Sequence, residues 1–296
     1  MKRQNIQNIC IVFLIVLGTT AAQANAAVLN VGINGKGNYT SIQEAVNNAQ
    51  NGDTIIVSPG TYVENVNVSK ELAIISSTDL SGDRMNRTYV IGTASANDVF
   101  NIRSNNVTIS GFHILGSFSG MDTYEEVGIY LEGVQNCSLN NNTMVLNDVG
   151  IGLNNSQRNY LYNNLIAFGS TGILLTGSNE NRLSENKVVA NSEGISLDNS
   201  ASNTFMNNSL YMNGLGMRLS KSTSNTVYLN KFSNFQNTLD EEKNTWNTSS
   251  AGNFWDDYNG TDADGNGVGD TPYIVNQTTG SIDYLPLVTN VSSGNT

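Results

Sequence analysis

Cysteine, histidine and proline are scarce among the 296 residues, and each scarcity limits what the protein can be. Of the two cysteines, Cys10 lies in an amino-terminal segment that we expect to be removed. The mature chain then keeps Cys137 alone and forms no internal disulfide. We expect the Cys137 thiol to be buried. With His113 as the single histidine and with scattered methionines, the residues give little support to a copper site, because copper prefers Cys, Met and His ligands at short spacing.

Basic side chains are also few. Lys and Arg number 14 against 25 Asp and Glu, which gives a formal net charge of −11. Such a surface repels nucleic acid and anionic membranes and attracts cations. We therefore expect no nucleic-acid partner.

Residues 1–26 have the features of a secretory signal. Lys2 and Arg3 precede an apolar run at 9–17, and the Ala-Asn-Ala sequence at 24–26 matches a cleavage site. The run is too short to span a bilayer comfortably, and no second hydrophobic run follows it. We expect a protein that is secreted or held at the cell surface, without a transmembrane anchor after cleavage. Residues 291–296 are expected to form a polar tail.

The dominant pattern is a repeat of 22 residues between positions 128 and 232. Glycine, apolar and asparagine residues recur in fixed columns, and so strict a period is typical of a solenoid. The apolar segments are short and alternating, which favours strands over helices, and proline is absent from the region. The columns are Gly128, Gly150, Gly172, Gly194 and Gly216; Ile129, Ile151, Ile173, Ile195 and Met217; Leu131, Leu153, Leu175, Leu197 and Leu219; Leu139, Leu161, Leu183, Phe205 and Val227; Asn142, Asn164, Asn186, Asn208 and Asn230; and Met144, Ile166, Val188, Leu210 and Phe232.

A repeat of this length accommodates three short strands and three bends, which make one rung of an all-β, parallel β-helix. Because stacked rungs lie about 4.8 Å apart, residues of one column lie directly above one another. We expect the apolar columns to fill the core and the asparagines to form a hydrogen-bonded ladder. Asn186 would have ladder partners on both sides, whereas Asn230 would lie near the end. The glycine column predicts a bend with positive φ or a close backbone approach.

The predicted β-helix spans residues 27–250 and is capped at both ends. Ser41 and Glu44 have the spacing of a capping box, which predicts an amphipathic helix at about 41–51. Such a helix would cover strand edges that otherwise invite aggregation. Residues 251–290 would form the carboxy-terminal cap. The aromatic residues expected to seal that end are Phe254, Trp255, Tyr258, Tyr273 and Tyr284.

Two stretches, Ser76–Thr88 and Gly116–Glu126, break the regular spacing. Extra residues between rungs usually form loops on one face, where binding sites collect. The alternative is that both loops are solvated decoration. The candidate substrate-binding residues in these loops are Asp83, Arg84, Asp122, Glu125 and Glu126.

The sharpest motif is Asp-Ala-Asp-Gly-Asn-Gly-Val-Gly-Asp at residues 262–270. Oxygen donors at its positions 1, 3, 5 and 9, with glycines between them, match the spacing of calcium-binding loops. Tyr273 stands where an EF-hand has its final Glu, which indicates a structural Ca²⁺ site and not a regulatory one. The alternative is a turn without metal. The predicted ligands are the side chains of Asp262, Asp264, Asn266 and Asp270 and the carbonyl of Val268.

Several stretches resemble a known family. The opening Tyr39-Thr-Ser-Ile-Gln-Glu-Ala-Val resembles the entry to pectate-lyase-like β-helices, and the rows of Asn-x-Leu-x-x-Asn resemble the NosD-type repeat. The ending from Gly252 to Tyr273 resembles the carboxy-terminal signature of NosD-like surface proteins of methanogenic archaea. The resemblance covers residues 37–287. It implies a single-stranded right-handed parallel β-helix of the class of carbohydrate-binding proteins and sugar hydrolases.

Three functions are compatible with this sequence. Rungs without stacked carboxylates, an acidic surface and dense sequons favour a secreted, non-catalytic protein that is structural or binds carbohydrate. Its partner would be a polysaccharide or surface glycan, with association to a surface layer. The alternative is a carbohydrate-active enzyme (a polysaccharide lyase, hydrolase or epimerase) with its site between the two irregular loops. The second alternative, a copper-maturation accessory protein, rests on the family resemblance alone. The sequons begin at Asn38, Asn67, Asn86, Asn106, Asn136, Asn141, Asn154, Asn207, Asn247, Asn259, Asn276 and Asn290.

Overall fold

Three parallel β-sheets run along the protein, because each row of the repeat contributes one strand to each sheet. The computed structural model describes residues 26–35, 37–77, 86–93, 98–116 and 126–288. Within them lie one α-helix, α1 (Ile42–Asn48), and a 3-10 turn at Ile33–Gly35. No helix in this part of the chain is long and apolar enough to cross a membrane.

The strands are short and follow one another in a fixed cycle. In chain order they are β1 (Val28–Val31), β2 (Thr54–Val57), β3 (Gly60–Val63), β4 (Val66–Val68), β5 (Ala73–Ser76), β6 (Thr88–Ile91), β7 (Asp98–Ile102), β8 (Thr108–Ser110), β9 (His113–Leu115), β10 (Val127–Glu132), β11 (Ser138–Asn140), β12 (Thr143–Val145), β13 (Val149–Asn154), β14 (Tyr160–Tyr162), β15 (Leu165–Ala167), β16 (Thr171–Thr176), β17 (Arg182–Ser184), β18 (Lys187–Val189), β19 (Glu193–Asp198), β20 (Thr204–Met206), β21 (Ser209–Tyr211), β22 (Leu215–Ser220), β23 (Thr226–Tyr228), β24 (Lys231–Ser233), β25 (Gln236–Asp240), β26 (Phe254–Trp255), β27 (Tyr273–Asn276) and β28 (Ser281–Asp283).

The predicted parallel β-helix is confirmed by the pairing of these strands. The first sheet contains β1, β2, β5, β8, β11, β14, β17, β20 and β23; the second runs from β4 to β25; and the third runs from β3 to β26. Ile151 pairs with Ile173, and Ile109 pairs with Leu139 across the longer row. A separate antiparallel hairpin, β27–β28, follows the last rung.

The core consists of the apolar columns that the repeat predicts. Ile129, Ile151, Ile173 and Ile195 are fully buried in consecutive rungs of the second sheet. The glycine column marks close approach and not positive φ. A Cβ on Gly150 would lie 2.6 Å from the carbonyl oxygen of Gly172, so no larger residue fits there.

The asparagine ladder is confirmed and is longer than predicted. The Asn186 Oδ1 accepts hydrogen bonds from the backbone N of Asn164 at 3.1 Å and from its Nδ2 at 3.0 Å. The same pattern continues past Asn230, whose Nδ2 donates to the Oδ1 of Asn253 at 3.0 Å. Asn230 therefore has a ladder partner on each side, and the ladder ends one rung later, because Asn253 supplies a further rung after a break in the period.

A second ladder, of Asn159, Asn181, Asn203, Asn225 and Asn244, runs along another corner of the solenoid. The buried Cys137 stands in that column one rung earlier, and its backbone N donates to the Oδ1 of Asn159 at 2.8 Å. The expectation of a buried, unpaired thiol is confirmed.

The helix α1 covers the first rung, with Ile42, Ala45 and Val46 buried. Ser41 is its N-cap, as predicted, and its side chain accepts from the Glu44 backbone N. The helix ends at Asn48 and not near residue 51, because the next residue is extended.

Candidate functional site

Most of the predicted substrate-binding residues lie outside the described part of the chain. These are Asp83, Arg84, Asp122 and Glu125. Glu126 is described and half-buried, and its backbone oxygen accepts from the backbone N of Val149 at 3.0 Å. A groove between the two irregular loops therefore stays a prediction.

The predicted calcium loop folds as a series of tight turns. The Asp262 Oδ1 accepts from the backbone N of Asn266 at 3.0 Å, and its Oδ2 accepts from that of Gly267 at 2.9 Å. The Asp264 Oδ1 also accepts from the Asn266 backbone N, at 3.1 Å. The Asp270 Oδ2 accepts from the backbone N of Ala263 at 3.0 Å. The loop's own amides thus hold its carboxylates in place.

This loop is also tied to the end of the described chain. Val268 pairs with Leu287, and the backbone N of Gly269 donates to the carbonyl of Pro286 at 2.8 Å. Among the described residues, no group of three or more His, Cys, Asp or Glu side chains is placed to hold a metal ion. Calcium binding here stays a prediction.

Two fully buried aspartates hold the carboxy-terminal cap on the last rungs. The Oδ2 of Asp240 accepts from Trp246 Nε1 at 2.8 Å. The Oδ2 of Asp283 accepts from Trp255 Nε1 at 3.0 Å and from the backbone N of Asn253 at 2.7 Å. Burial raises the pKa of the Asp283 carboxyl, and its hydrogen bonds offset part of that effect. Neither carboxylate was predicted from the sequence. A signal was present, because the chain has two tryptophans and each indole N–H needs a hydrogen-bond acceptor when it is buried.

The aromatic seal of this end is smaller than predicted. Trp255 is buried, and its ring stacks on Phe232 at 4.5 Å and on Tyr273 at 4.2 Å between centroids. Tyr258 packs edge-on against Tyr273. Tyr284, by contrast, is 59% exposed. Its ring therefore contributes little to the seal.

Next to this ring stack lies an open cavity of about 350 Å³, which we call the carboxy-terminal pocket. Its walls come from the start of β25, from the two residues after β26 and from β27. The lining residues are Asn234, Phe235, Gln236, Asn237, Thr238, Asp256, Asp257, Tyr273 and Val275.

Hydrogen bonds fix the polar side of the carboxy-terminal pocket. The buried Asn237 donates its Nδ2 to Asp256 Oδ1 at 2.9 Å and to Asp257 Oδ1 at 3.0 Å. The Tyr273 hydroxyl donates to both oxygens of Asp257 at 3.1 Å. Burial, and then the charge of Asp257, raises the pKa of Tyr273, so its phenol stays protonated and keeps donating. The pocket therefore presents two carboxyl groups side by side.

The most exposed apolar side chain of the pocket is Phe235. Phe235 is 96% exposed, the most exposed large hydrophobic residue of the described chain. Its backbone is nevertheless fixed, since its N donates to the carbonyl of Asn213 at 3.0 Å and the next residue, Gln236, donates to that of Gly214 at 3.0 Å. The arrangement combines an exposed aromatic ring on a fixed backbone with hydrogen-bond acceptors, and it is able to bind a small polar ligand.

The stacked rungs and their ladders define a parallel β-helix protein. The chain belongs to the NosD family: residues 46–260 match the family described as periplasmic copper-binding protein (NosD).

A curated relative is the "Cell surface glycoprotein" of Methanothermus fervidus, 34% identical over 134 residues. The match covers 44% of this chain and 19% of that protein, so the chain spans about a fifth of its relative's length.

Solved structures with the same fold include two carbohydrate-active enzymes. Pectate lyase Pel9A is similar with a TM-score of 0.61 and 14% identity, over 80% of this chain and 72% of that one. DFA-IIIase from Arthrobacter chlorophenolicus A6, in complex with DFA-III, has a TM-score of 0.56 and 16% identity, over 74% and 67%. At these identities the likeness concerns the fold alone.

The described residues do not fit the copper ion in the family's name. His113 is half-buried against the Tyr89 ring, 5.3 Å away between centroids, and it is the single histidine of the chain, so no second imidazole is available to share a copper ion. Burial raises the pKa of Cys137 to about 11, so it stays a thiol and a poor ligand at neutral pH. Met144 and Met217 are buried core residues.

Proposed function

We propose that this protein works outside the cell or at its surface, where it binds a glycan without transforming it. The carboxy-terminal pocket carries the proposal, because it places exposed Phe235 beside the acceptors Asp256 and Asp257. A sugar offers hydroxyl donors and an apolar ring face, and such a pocket complements both. The cell surface glycoprotein relative supports the location proposed here.

The pocket lies at the end of a long, rigid solenoid. Identical ladder asparagines and packed columns hold each rung on the next, so the protein suits a role as a spacer that presents its end. Association with a surface layer is part of this proposal.

A glycan array probed with the mature protein tests the proposal. We expect retention of glycans that elute unchanged, with no new reducing ends or unsaturated products after prolonged incubation with Ca²⁺. Turnover of any retained glycan would show that the protein is an enzyme, and retention of none would refute the binding role.

We also propose that Ca²⁺ stabilises the carboxy-terminal cap through Asp262, Asp264, Asn266, Asp270 and the Val268 carbonyl. The loop is tied to the chain after β28, so ordering it would hold the cap against the last rung. Binding to the folded state alone stabilises by about 2.7 kcal/mol when the ion is a hundredfold above its dissociation constant.

Thermal unfolding with Ca²⁺ and then with EGTA tests the calcium proposal. We expect a lower midpoint in EGTA and no such difference for Asp264→Asn, which keeps an acceptor for the Asn266 amide but loses the charge. Asp198→Asn, at an exposed carboxylate on β19, is the matched control and should respond like wild type. Equal midpoints of the wild-type protein in both buffers would refute the calcium proposal.

A further inference from the structure

We propose that the carboxy-terminal pocket selects a neutral sugar unit over an acidic one, with Phe235 as its stacking surface and Asp256 and Asp257 as acceptors for hydroxyl groups. This inference rests on the glycan-binding role proposed above and adds the site and the class of sugar. The relevant observations are the charge of the pocket, the order of its side chains and a contrasting basic cavity elsewhere on the solenoid.

The charge of the pocket is uniformly negative. Asp256 and Asp257 are exposed carboxylates, and the residues described around the cavity include no lysine, arginine or histidine. A uronic acid or a sulfated sugar would bring a like charge next to both, which is unfavourable. A neutral sugar would instead donate its hydroxyl hydrogens to them, and hydrogen bonds to an ionised acceptor are the stronger kind.

Both carboxylates are held in place before any ligand arrives. Asp256 accepts from Asn237 through Oδ1 and from the Ser233 Oγ through Oδ2 at 2.8 Å, and Asp257 accepts from Asn237 and Tyr273. A carboxylate offers about four acceptor positions. Each therefore retains acceptor capacity for a ligand while its protein bonds fix its direction, which lowers the entropic cost of binding.

One wall of the pocket is joined to the core through stacked rings. The Tyr273 ring lies within 11° of parallel on Trp255, which lies within 10° of parallel on Phe232. This three-ring stack connects the pocket to the buried interior. Phe235 stands apart from the stack and is exposed, so a ligand that covers its ring removes apolar surface from water.

A second cavity, of about 190 Å³, has a net positive lining. It lies across β18, β21 and β24, where Lys187 and Lys231 outnumber the single carboxylate, Glu185. Three asparagines, Asn163, Asn207 and Asn208, also line it. An acidic glycan would find its counter-charges there and not in the carboxy-terminal pocket. The two cavities thus allow the binding of neutral and of acidic glycans to be compared in one protein.

The test is calorimetric titration of the mature protein with hexasaccharides of neutral glucan, mannan and galactan and with oligogalacturonate. We expect at least one neutral hexasaccharide to bind and oligogalacturonate to bind more weakly. Phe235→Ala, Asp256→Asn and Asp257→Asn should each weaken the neutral ligand by about tenfold or more. Phe168→Ala, which removes another exposed ring, and Lys187→Gln should leave it unchanged.

The outcomes separate this inference from the proposed function. Binding of oligogalacturonate alone, lost in Lys187→Gln, would keep a glycan-binding role and overturn the neutral pocket. Neutral binding that survives all three pocket substitutions would overturn the site. Binding of no glycan would overturn both proposals. Unfolding midpoints of the variants show that any loss is not a loss of fold, and Phe235→Ala is the safest variant because its ring contributes little to the core.

Discussion

Replacing Asn186 by alanine removes one side chain from the middle of the longest amide ladder. Its Oδ1 serves the backbone N and the Nδ2 of Asn164, and its Nδ2 donates to the carbonyl of Leu161 at 2.8 Å and to Asn208 Oδ1 at 3.0 Å. The Asn164 Nδ2 keeps a second acceptor, the carbonyl of Leu139, and Asn208 Oδ1 keeps the backbone N of residue 186. The Asn164 backbone N and the Leu161 carbonyl each lose this partner.

Each buried group left without its hydrogen bond costs about 1–3 kcal/mol. Asn186→Ala should therefore lower the free energy of unfolding by about 2–6 kcal/mol. Asn230→Ala should cost nearly as much, because Asn230 makes the equivalent bonds to Asn208, Phe205 and Asn253. A nearly equal loss of stability in the two variants is expected for the observed ladder, which continues to Asn253. In a ladder that ended at Asn230, the Asn230→Ala variant would lose less stability than Asn186→Ala.

Urea unfolding followed by circular dichroism measures both effects, provided that the slope against urea stays unchanged. Asn259→Ala, at an exposed position in the carboxy-terminal cap, is the control and should shift stability by less than about 0.5 kcal/mol. If Asn186→Ala has the same free energy of unfolding as the control, the ladder does not stabilise the fold. If only Asn230→Ala has the stability of the control, the ladder ends at Asn230 and not at Asn253.

Three further results are expected. Leu175→Ala, in a fully buried column, should cost about 2–5 kcal/mol in urea unfolding; a loss below 1 kcal/mol would contradict the core assignment. Burial raises the folded-state pKa of Asp283 above its ordinary 3.8, so the folded protein holds this proton more tightly than the unfolded chain does. The resulting stabilisation is fully present below pH 3.8 and is lost as the pH rises through the raised pKa. Asp283→Asn should abolish this part of the pH dependence of unfolding, and an unchanged slope would refute the assignment. In the protein from its native source, peptide mass spectrometry should find glycan at the exposed Asn207. It should find none at Asn276, because the Asn276 Nδ2 is held by the Asp240 carbonyl at 2.7 Å. Glycan at Asn276 and none at Asn207 would contradict this prediction.

The repeat made the fold predictable from the sequence. Columns such as Ile129 to Ile195 recur at one spacing, so the direction of every side chain in one rung fixes the direction in the next. The ladder was predictable for the same reason, but its continuation to Asn253 was not. That residue follows Asn230 by 23 positions and lies beyond an irregular segment, so no periodicity identifies it.

The carboxy-terminal pocket could not be predicted in this way. Its residues lie in or next to β25, directly after β26 and in β27, at or beyond the end of the repeat, and only folding brings Asn237 next to Asp256. A partial signal was present. Asn234 accepts from Asn213 of the preceding rung at 2.8 Å, so the next residue, Phe235, occupies the exposed position that Gly214 holds one rung earlier. An aromatic residue at that position lies outside the core.

The most direct test of a glycan-binding β-helix is to map the contact. Backbone ¹H–¹⁵N spectra of the mature protein would be recorded during titration with the neutral hexasaccharide that binds most tightly. We predict that shifts concentrate at residues 234–238 and 256–257 and at Tyr273, and that the regular rungs near Ile151 stay unchanged. Saturable shifts centred on any other face, or no shifts with any glycan, would contradict the account.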